Sequence, residues 1–340
     1  MERHASRRAY RLASRLAALL ALLLAFAPAP ARAEDAISFG LDWVAEAEYG
    51  GYYQAVATGL YARRGLTVTI RQGGPQVNQM QLLLAGRLDF NLGGGRAIEF
   101  VQQGLPFVAI AAIFQQDPSV LLAHPGQGND SFAALKGKPI LISGDTRASW
   151  WRFLVGRFGY SDSQIRPYTF NLQPFLADKA LVQQGYLGSE PFAVEQAAHF
   201  KPVVLMLADA GYAGYANIVT TSSKLVAERP DVVQRFIDAS IEGWYSYLYG
   251  DPTPANRLIR QDNPEMPEAL LEYGREVMKS RGIVDSGDAL HLGIGAMTEA
   301  RWTAFYRSMA DVGVYPQGLD VAKAYTLHFV DKRVGIEMKR

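Results

Sequence analysis

Cysteine is missing from all 340 residues. Without a thiol the chain has no disulfide, no thiolate nucleophile, no cysteine-held zinc or iron, and no cysteine to carry a lipid anchor. An excess of one charge is missing too. Lys and Arg number 34 against 33 Asp and Glu, so no overall field draws the chain to nucleic acid or to an anionic membrane surface. Histidine is sparse: five are scattered along the chain, one of them, His4, at the very start. No HExxH, Walker loop or ordered Ser-His-Asp signature occurs. Beyond residue 33 no apolar run approaches the roughly twenty residues that cross a bilayer. Composition therefore implies no cofactor and no metal.

What is present begins with an export signal. Arg7, Arg8, Arg11 and Arg15 form a basic start, Leu16 to Phe26 an apolar stretch too short to anchor, and Ala31-Arg32-Ala33 the small-residue pattern before a cleavage point. These regions predict a mature chain that starts near Glu34 and works in the periplasm. Ser6-Arg7-Arg8-Ala9-Tyr10 partly matches a twin-arginine signal, which leaves the export route open between the two bacterial systems. The roughly 300 residues beyond it suffice for two lobes held by core packing alone.

Strand and helix patterns alternate through the first half. Ala36 to Leu41, Leu66 to Ile70, Leu88 to Leu92 and Phe107 to Phe114 read as strands, and Tyr52 to Thr58, Gln76 to Ala85 and Glu99 to Gln103 as helices stopped by glycine. The pattern restarts at Lys138 to Ile142, with a helix-to-strand passage over Ala180 to Leu187. From Lys224 the chain turns mainly helical, and Pro230-Asp231 opens a long helix from Val232 to Leu248. Repeated β-α-β units predict an α/β fold of mostly parallel sheets flanked by helices. We divide the chain into the signal (1–33), a first lobe segment (34–118), a second lobe (119–216), and a return to the first lobe with C-terminal helices (217–340).

Several of these stretches carry a resemblance. Leu41-Asp42-Trp43, Glu48-Tyr49-Gly50-Gly51-Tyr52-Tyr53-Gln54-Ala55, Gly59-Leu60-Tyr61 and Gly65-Leu66-Thr67-Val68 are similar to the opening of one family. So are Leu83 to Phe90, Leu135 to Ile140, Gly188-Ser189-Glu190-Pro191-Phe192 and Arg229 to Phe236 in its later parts. That family holds periplasmic binding proteins for thiamine pyrimidine precursors and the fungal hydroxymethylpyrimidine phosphate synthases. Its distant relatives bind nitrate, taurine and alkanesulfonates. The resemblance implies a two-lobe periplasmic-binding-protein fold (type II) with a ligand cleft between lobes. It further implies a monomer that delivers a small molecule to an inner-membrane ABC permease and its ATPase.

Candidate ligand contacts come from strand ends, where open α/β sheets bind their ligands. Trp43 comes directly after the first strand and offers a stacking face and an N–H. Tyr49 stands where the family usually has His and keeps a flat face with a donor. Gly94 lies in Gly93-Gly94-Gly95-Arg96, a run whose N–H groups suit an anion, and Arg96 is the cation such an anion would meet. Gly144 and Asp145 come after Ile142 in the second lobe and lead to Trp150-Trp151, of which one faces the cleft and the other the core. Glu190, fixed before Pro191, can accept from the amino groups of a ring, and the family's pyrimidine binders use an acid near it. Asn171 and Tyr215 lie near the segments between lobes.

The synthase reading fails on residues. The family's cofactor lysine aligns with Gly93, its sacrificed histidine with Ala97, and its cysteine motif with residues 210–215, where no Cys occurs. No Schiff base forms without an amine. The sequence thus predicts a binder without catalytic residues, for a small flat nitrogenous ligand resembling a thiamine pyrimidine precursor. A sulfonate or aromatic carboxylate is the alternative if Arg96 or Arg147 faces the cleft. N-terminal sequencing of the exported protein should begin near Glu34; an intact Met1 would refute the signal.

Overall fold

In the computed structural model, residues 34–339 are described apart from Pro75, Gly94 and Gly95, as are all their side chains but those of Asp145 and Ala148. The signal and Gly94 therefore lie outside the described residues. Among the described residues ten strands form two five-stranded sheets. The first holds β1 (Asp35–Gly40), β2 (Leu66–Arg71), β3 (Phe90–Leu92), β4 (Phe107–Phe114) and β10 (Ala216–Ser222), in the order β2-β1-β3-β10-β4. The second holds β5 (Ser119–Ala123), β6 (Ile140–Ile142), β7 (Ile165–Pro167), β8 (Val182–Tyr186) and β9 (Val203–Met206), in the order β7-β6-β8-β5-β9.

The two orders are the same pattern. In each sheet four strands point one way and one runs against them: β10 is antiparallel to β3 and β4, and β5 is antiparallel to β8 and β9. Those two are the strands by which the chain changes sheet. A segment leaving the carboxyl edge of one parallel sheet reaches the facing edge of the other, so it enters against the local strand direction. The connections at 115–118 and 207–215 are thus the hinge, and the carboxyl edges of both sheets face one another across it.

Most elements lie where periodicity predicts them. β1 pairs with β2 in parallel register from Asp35↔Leu66 to Gly40↔Arg71, and β4 spans Phe107–Phe114 as read from its apolar run. Two elements differ. The helix expected from Gln76 begins at Gln79, because the Asn78 side chain accepts from Gln81 N at 3.1 Å and caps it there. The stretch Ala180 to Leu187 contains no helix. The helix is earlier, Gln173–Ala177, and β8 is drawn into the sheet centre between β6 and β5.

The helix Gly50–Ala57 is set by close approach to the helix Pro230–Tyr249. A Cβ on Gly243 would stand 2.2 Å from Gly51 O, and one on Gly51 would stand 2.3 Å from the Trp244 ring. Only glycine permits this crossing. The long helix buries Phe236 against Phe90 of β3, with rings stacked at 4.1 Å. Its Pro sits at the first turn, where a missing N–H is harmless.

Arg301, on the helix Glu299–Asp311, ties the two hinge connections together. Its guanidinium donates to the backbone O of Gln115 in the first and, at 3.4 Å each, to Ala213 O and Gly214 O in the second. It also lies 4.1 Å over the Tyr215 ring. Burial pulls its pKa below the usual arginine value. Arg301→Ala would leave the part-buried Gln115 O and Gly214 O without their donor and should lower unfolding free energy by about 2–4 kcal/mol. Denaturant titration checks this, with Arg301→Lys expected to restore only part.

Candidate functional site

A cavity of about 600 Å³ lies between the facing sheet edges, within the range of roughly 300–1,000 Å³ that holds small organic ligands. Its walls are built from the residues just past the strand ends. After β1 come Asp42 and Trp43, then the turn Ala47–Tyr49; after β3 comes Gly93. After β6 comes Ser143, after β7 Phe170, and after β8 the stretch from Tyr186 to Glu190. The hinge connections add Asp117 and Tyr212, and the ends of their strands add Ser119, Ala216 and Asn217.

Internal hydrogen bonds hold this lining in place. Tyr49 OH donates to Asp42 Oδ1 at 2.7 Å. Asn217 Nδ2 donates to Glu48 O at 2.8 Å while its Oδ1 accepts from Tyr52 OH at 2.7 Å, locking the Ala47–Tyr49 turn to β10. Glu190 Oε2 accepts from Tyr186 N at 2.7 Å, and Asp117 Oδ1 accepts from Ser119 N at 2.8 Å. Ser143 N donates to Gln184 Oε1 at 2.6 Å.

The charge of the wall is lopsided. Six of its described residues bear carboxyls (Asp42, Glu46, Glu48, Glu99, Asp117 and Glu190), and one, Arg96, is a cation. That arginine is half exposed and paired with Glu99 at 2.9 Å. Asp42 is open to the cavity yet enclosed by protein on its other sides. Burial raises the pKa of Asp42 against the opposing pull of the Tyr49 hydrogen bond. Burial likewise raises Glu190 and Asp117. Glu46 is pushed well above the carboxylate range by burial and then by Glu48, Glu190 and Asp42. Glu48 is 4% exposed and raised to about 7, by burial first and then by Glu190 across the cleft. Its Oε1 is buried with no hydrogen-bond partner.

Of the residues nominated from sequence, Trp43, Tyr49, Trp150, Glu190 and Arg96 line the cavity. Trp150 is the member of its pair that does so; Trp151 is fully buried and donates to Asp162 Oδ1 at 2.8 Å. Gly144 is exposed and lines instead an adjoining concavity with Arg96, Arg147 and Arg152. Arg147 is held by Asp162 at 2.7 Å and does not line the main cavity. Asn171 is also off the wall, because its Oδ1 is spent locally on Gln173 N at 2.9 Å. Tyr215 serves the hinge: its OH accepts from Thr298 N at 3.0 Å and its ring lies under Arg301. The side chain of Asp145 and the whole of Gly94 are outside the described parts.

Sequence reasoning missed Glu46, Glu48, Asp117, Phe170 and Tyr186. A signal for two of them was present: Asp42, Glu46 and Glu48 are three acids in seven residues directly after a strand. Phe170 and Asp117 had no such signal, since only the hinge and the far sheet bring them to the cavity.

A two-sheet fold with a polar cleft between carboxyl edges defines the periplasmic-binding-protein class. The chain belongs to the NMT1/THI5 like family, whose model matches residues 46–255. The riboflavin-binding protein RibY of Chloroflexus aurantiacus is 25% identical over 319 residues, covering 89% of this chain and 90% of that one. A solved protein of Bordetella bronchiseptica superposes with TM-score 0.67 at 14% identity, covering 90% of this chain and 99% of that one. The aliphatic sulphonate binding protein SsuA of Escherichia coli superposes with TM-score 0.64 at 12% identity, covering 85% and 91%.

The buried acids make stability depend on pH. A carboxyl that holds its proton more tightly folded than unfolded contributes stability that is fully present below its ordinary pKa and is lost as pH rises through the folded value. For Glu48 that window runs from near 4.5 to about 7. Denaturant-derived unfolding free energy should therefore decline from pH 5 to 8, and Glu48→Gln should make the decline shallower.

Proposed function

We propose that this protein is the substrate-binding component of an ABC import system, acting in the periplasm on a small planar heterocycle rich in N–H or O–H donors. The observation that carries this is the wall of acceptors: six carboxyls against one cation that is already paired. A sulfonate or carboxylate brought into that wall would find its cation already engaged by Glu99 and would add negative charge beside acids that burial already disfavours as anions. A ring bearing amino, imide or hydroxyl groups, or a cationic one, satisfies the acceptors instead. The fold shared with sulfonate binders thus does not extend to an anion-binding wall, since fold does not dictate ligand.

Thiamine pyrimidine precursors, the class implied by the family resemblance, and flavins, the ligand in the name of RibY, both meet this chemistry. Trp43 supplies the stacking face and Glu190 the acceptor on the opposite lobe. Delivery would be to a membrane permease and its ATPase. The residues at the synthase's reactive positions favour binding over catalysis. A Cβ at Gly93 would already stand 3.0 Å from the Thr220 side chain, leaving poor room for a lysine.

Calorimetry with an aminopyrimidine, riboflavin and an alkanesulfonate tests the reading. One of the first two should bind, and the sulfonate should not. Glu190→Gln should weaken that binding by about 1.5–3 kcal/mol through loss of a charge-assisted acceptor. Trp43→Ala should weaken it by about 1 kcal/mol beyond the lost apolar area. Tight sulfonate binding, or an unchanged Glu190→Gln, would overturn the assignment.

A further inference from the structure

Phe170 is an anomaly on three counts. It is 40% exposed, large and apolar. Its backbone φ is +61°, a conformation that is a true outlier for a bulky residue and costs about 1–3 kcal/mol. It lies just past β7 of the second sheet, yet its ring touches Trp43 of the first lobe, with centroids 4.4 Å apart and planes tilted by 48°. A turn of this kind needs no ring, because glycine or asparagine adopts it at lower cost. A phenyl kept at such a position is kept for what the ring touches, and what it touches is the cleft and the opposite lobe.

We propose that Phe170 is a ligand-binding residue whose ring and the Trp43 indole form an aromatic jaw that takes a planar ligand between them and selects against non-planar solutes. The two sides are mounted differently. Trp43 is fixed close by through its own carbonyl, which accepts from Gly73 N at 2.9 Å. Phe170 is supported by the Tyr168 ring at 5.0 Å and by the turn in which Asn171 accepts from Gln173 N. At 4.4 Å the jaw is shut. A flat ring between two others needs two contacts of about 3.5–4.0 Å, hence about 7–8 Å between the outer rings. Entry must therefore part the rings by about 3 Å, after which both faces of the ligand are covered. A tetrahedral sulfonate fills no such slot. The inference rests on the proposed binding of a planar heterocycle.

Calorimetry of the parent, Phe170→Leu, Phe170→Ala and Phe170→Tyr with riboflavin and with 4-amino-5-hydroxymethyl-2-methylpyrimidine tests it. Affinity for whichever planar probe the parent binds should fall about 5- to 30-fold in the Leu and Ala variants and stay within about threefold in Phe170→Tyr. Leucine keeps apolar bulk but not the flat face, so a merely structural Phe170 would let Phe170→Leu bind like the parent, and that result overturns the jaw while the proposed function stands. Tighter binding by Phe170→Ala would show a plug that ligand displaces and would overturn it equally. A parent that binds neither probe refutes the functional reading and this inference with it.

Discussion

The molecule depends on one topological constraint: the chain changes sheet twice through carboxyl edges. Because β5 and β10 each enter a sheet from that edge, both run antiparallel to their neighbours, and the loops after the parallel strands of both sheets are turned toward each other. The cleft is a consequence of that arrangement. Its walls come from residues far apart in sequence, such as Asp42, Asp117, Glu190 and Tyr315, which share no local element. Arg301 joins the two connections by hydrogen bonds to backbone carbonyls of both, and no carboxylate contacts its guanidinium in a salt bridge among the described residues.

Electrostatics then set the character of the cleft wall. Burial raises the pKa of Asp42, Glu46, Glu48, Asp117 and Glu190; repulsion from neighbouring acids raises Glu46 and Glu48 further. Such a cluster is costly to bury unless protons or ligand donors compensate it. The same fold accommodates sulfonate binders, so the backbone is indifferent to ligand charge. Side chains at the strand ends set the sign, and here six carboxyls and one cation line the wall among the described residues.

Several parts of this are legible from sequence because they depend on local pattern. The apolar run Phe107 to Phe114, the alternation in Leu66 to Ile70 and the Pro-opened helix at 230 report period and capping, which neighbours in sequence determine. The two glycines at 50 and 51 are visible as a motif, but their reason, the crossing with Gly243, is not. The helix expected within Ala180 to Leu187 is absent for the same cause: β8 is a strand because β5 and β6 flank it, a fact no window of eight residues contains.

The candidate site divides along the same line. Trp43, Tyr49 and Glu190 face the cavity because a strand end determines where the next few residues go, and strand ends are readable. Asn171 and Tyr215 lie near the crossings in sequence, but hydrogen bonds to the backbone of Gln173 and Thr298 take their side chains elsewhere. Sequence by itself determined the class of fold, the absence of thiol chemistry and the lack of the synthase's lysine and histidine, since each of these is a matter of residue type and spacing. Only the tertiary structure decided that acids from both lobes and the hinge meet in one wall, and that Phe170 reaches Trp43. Charge repulsion and ring contact depend on distance in space, and the two sheet changes bring together residues that the chain keeps more than a hundred positions apart.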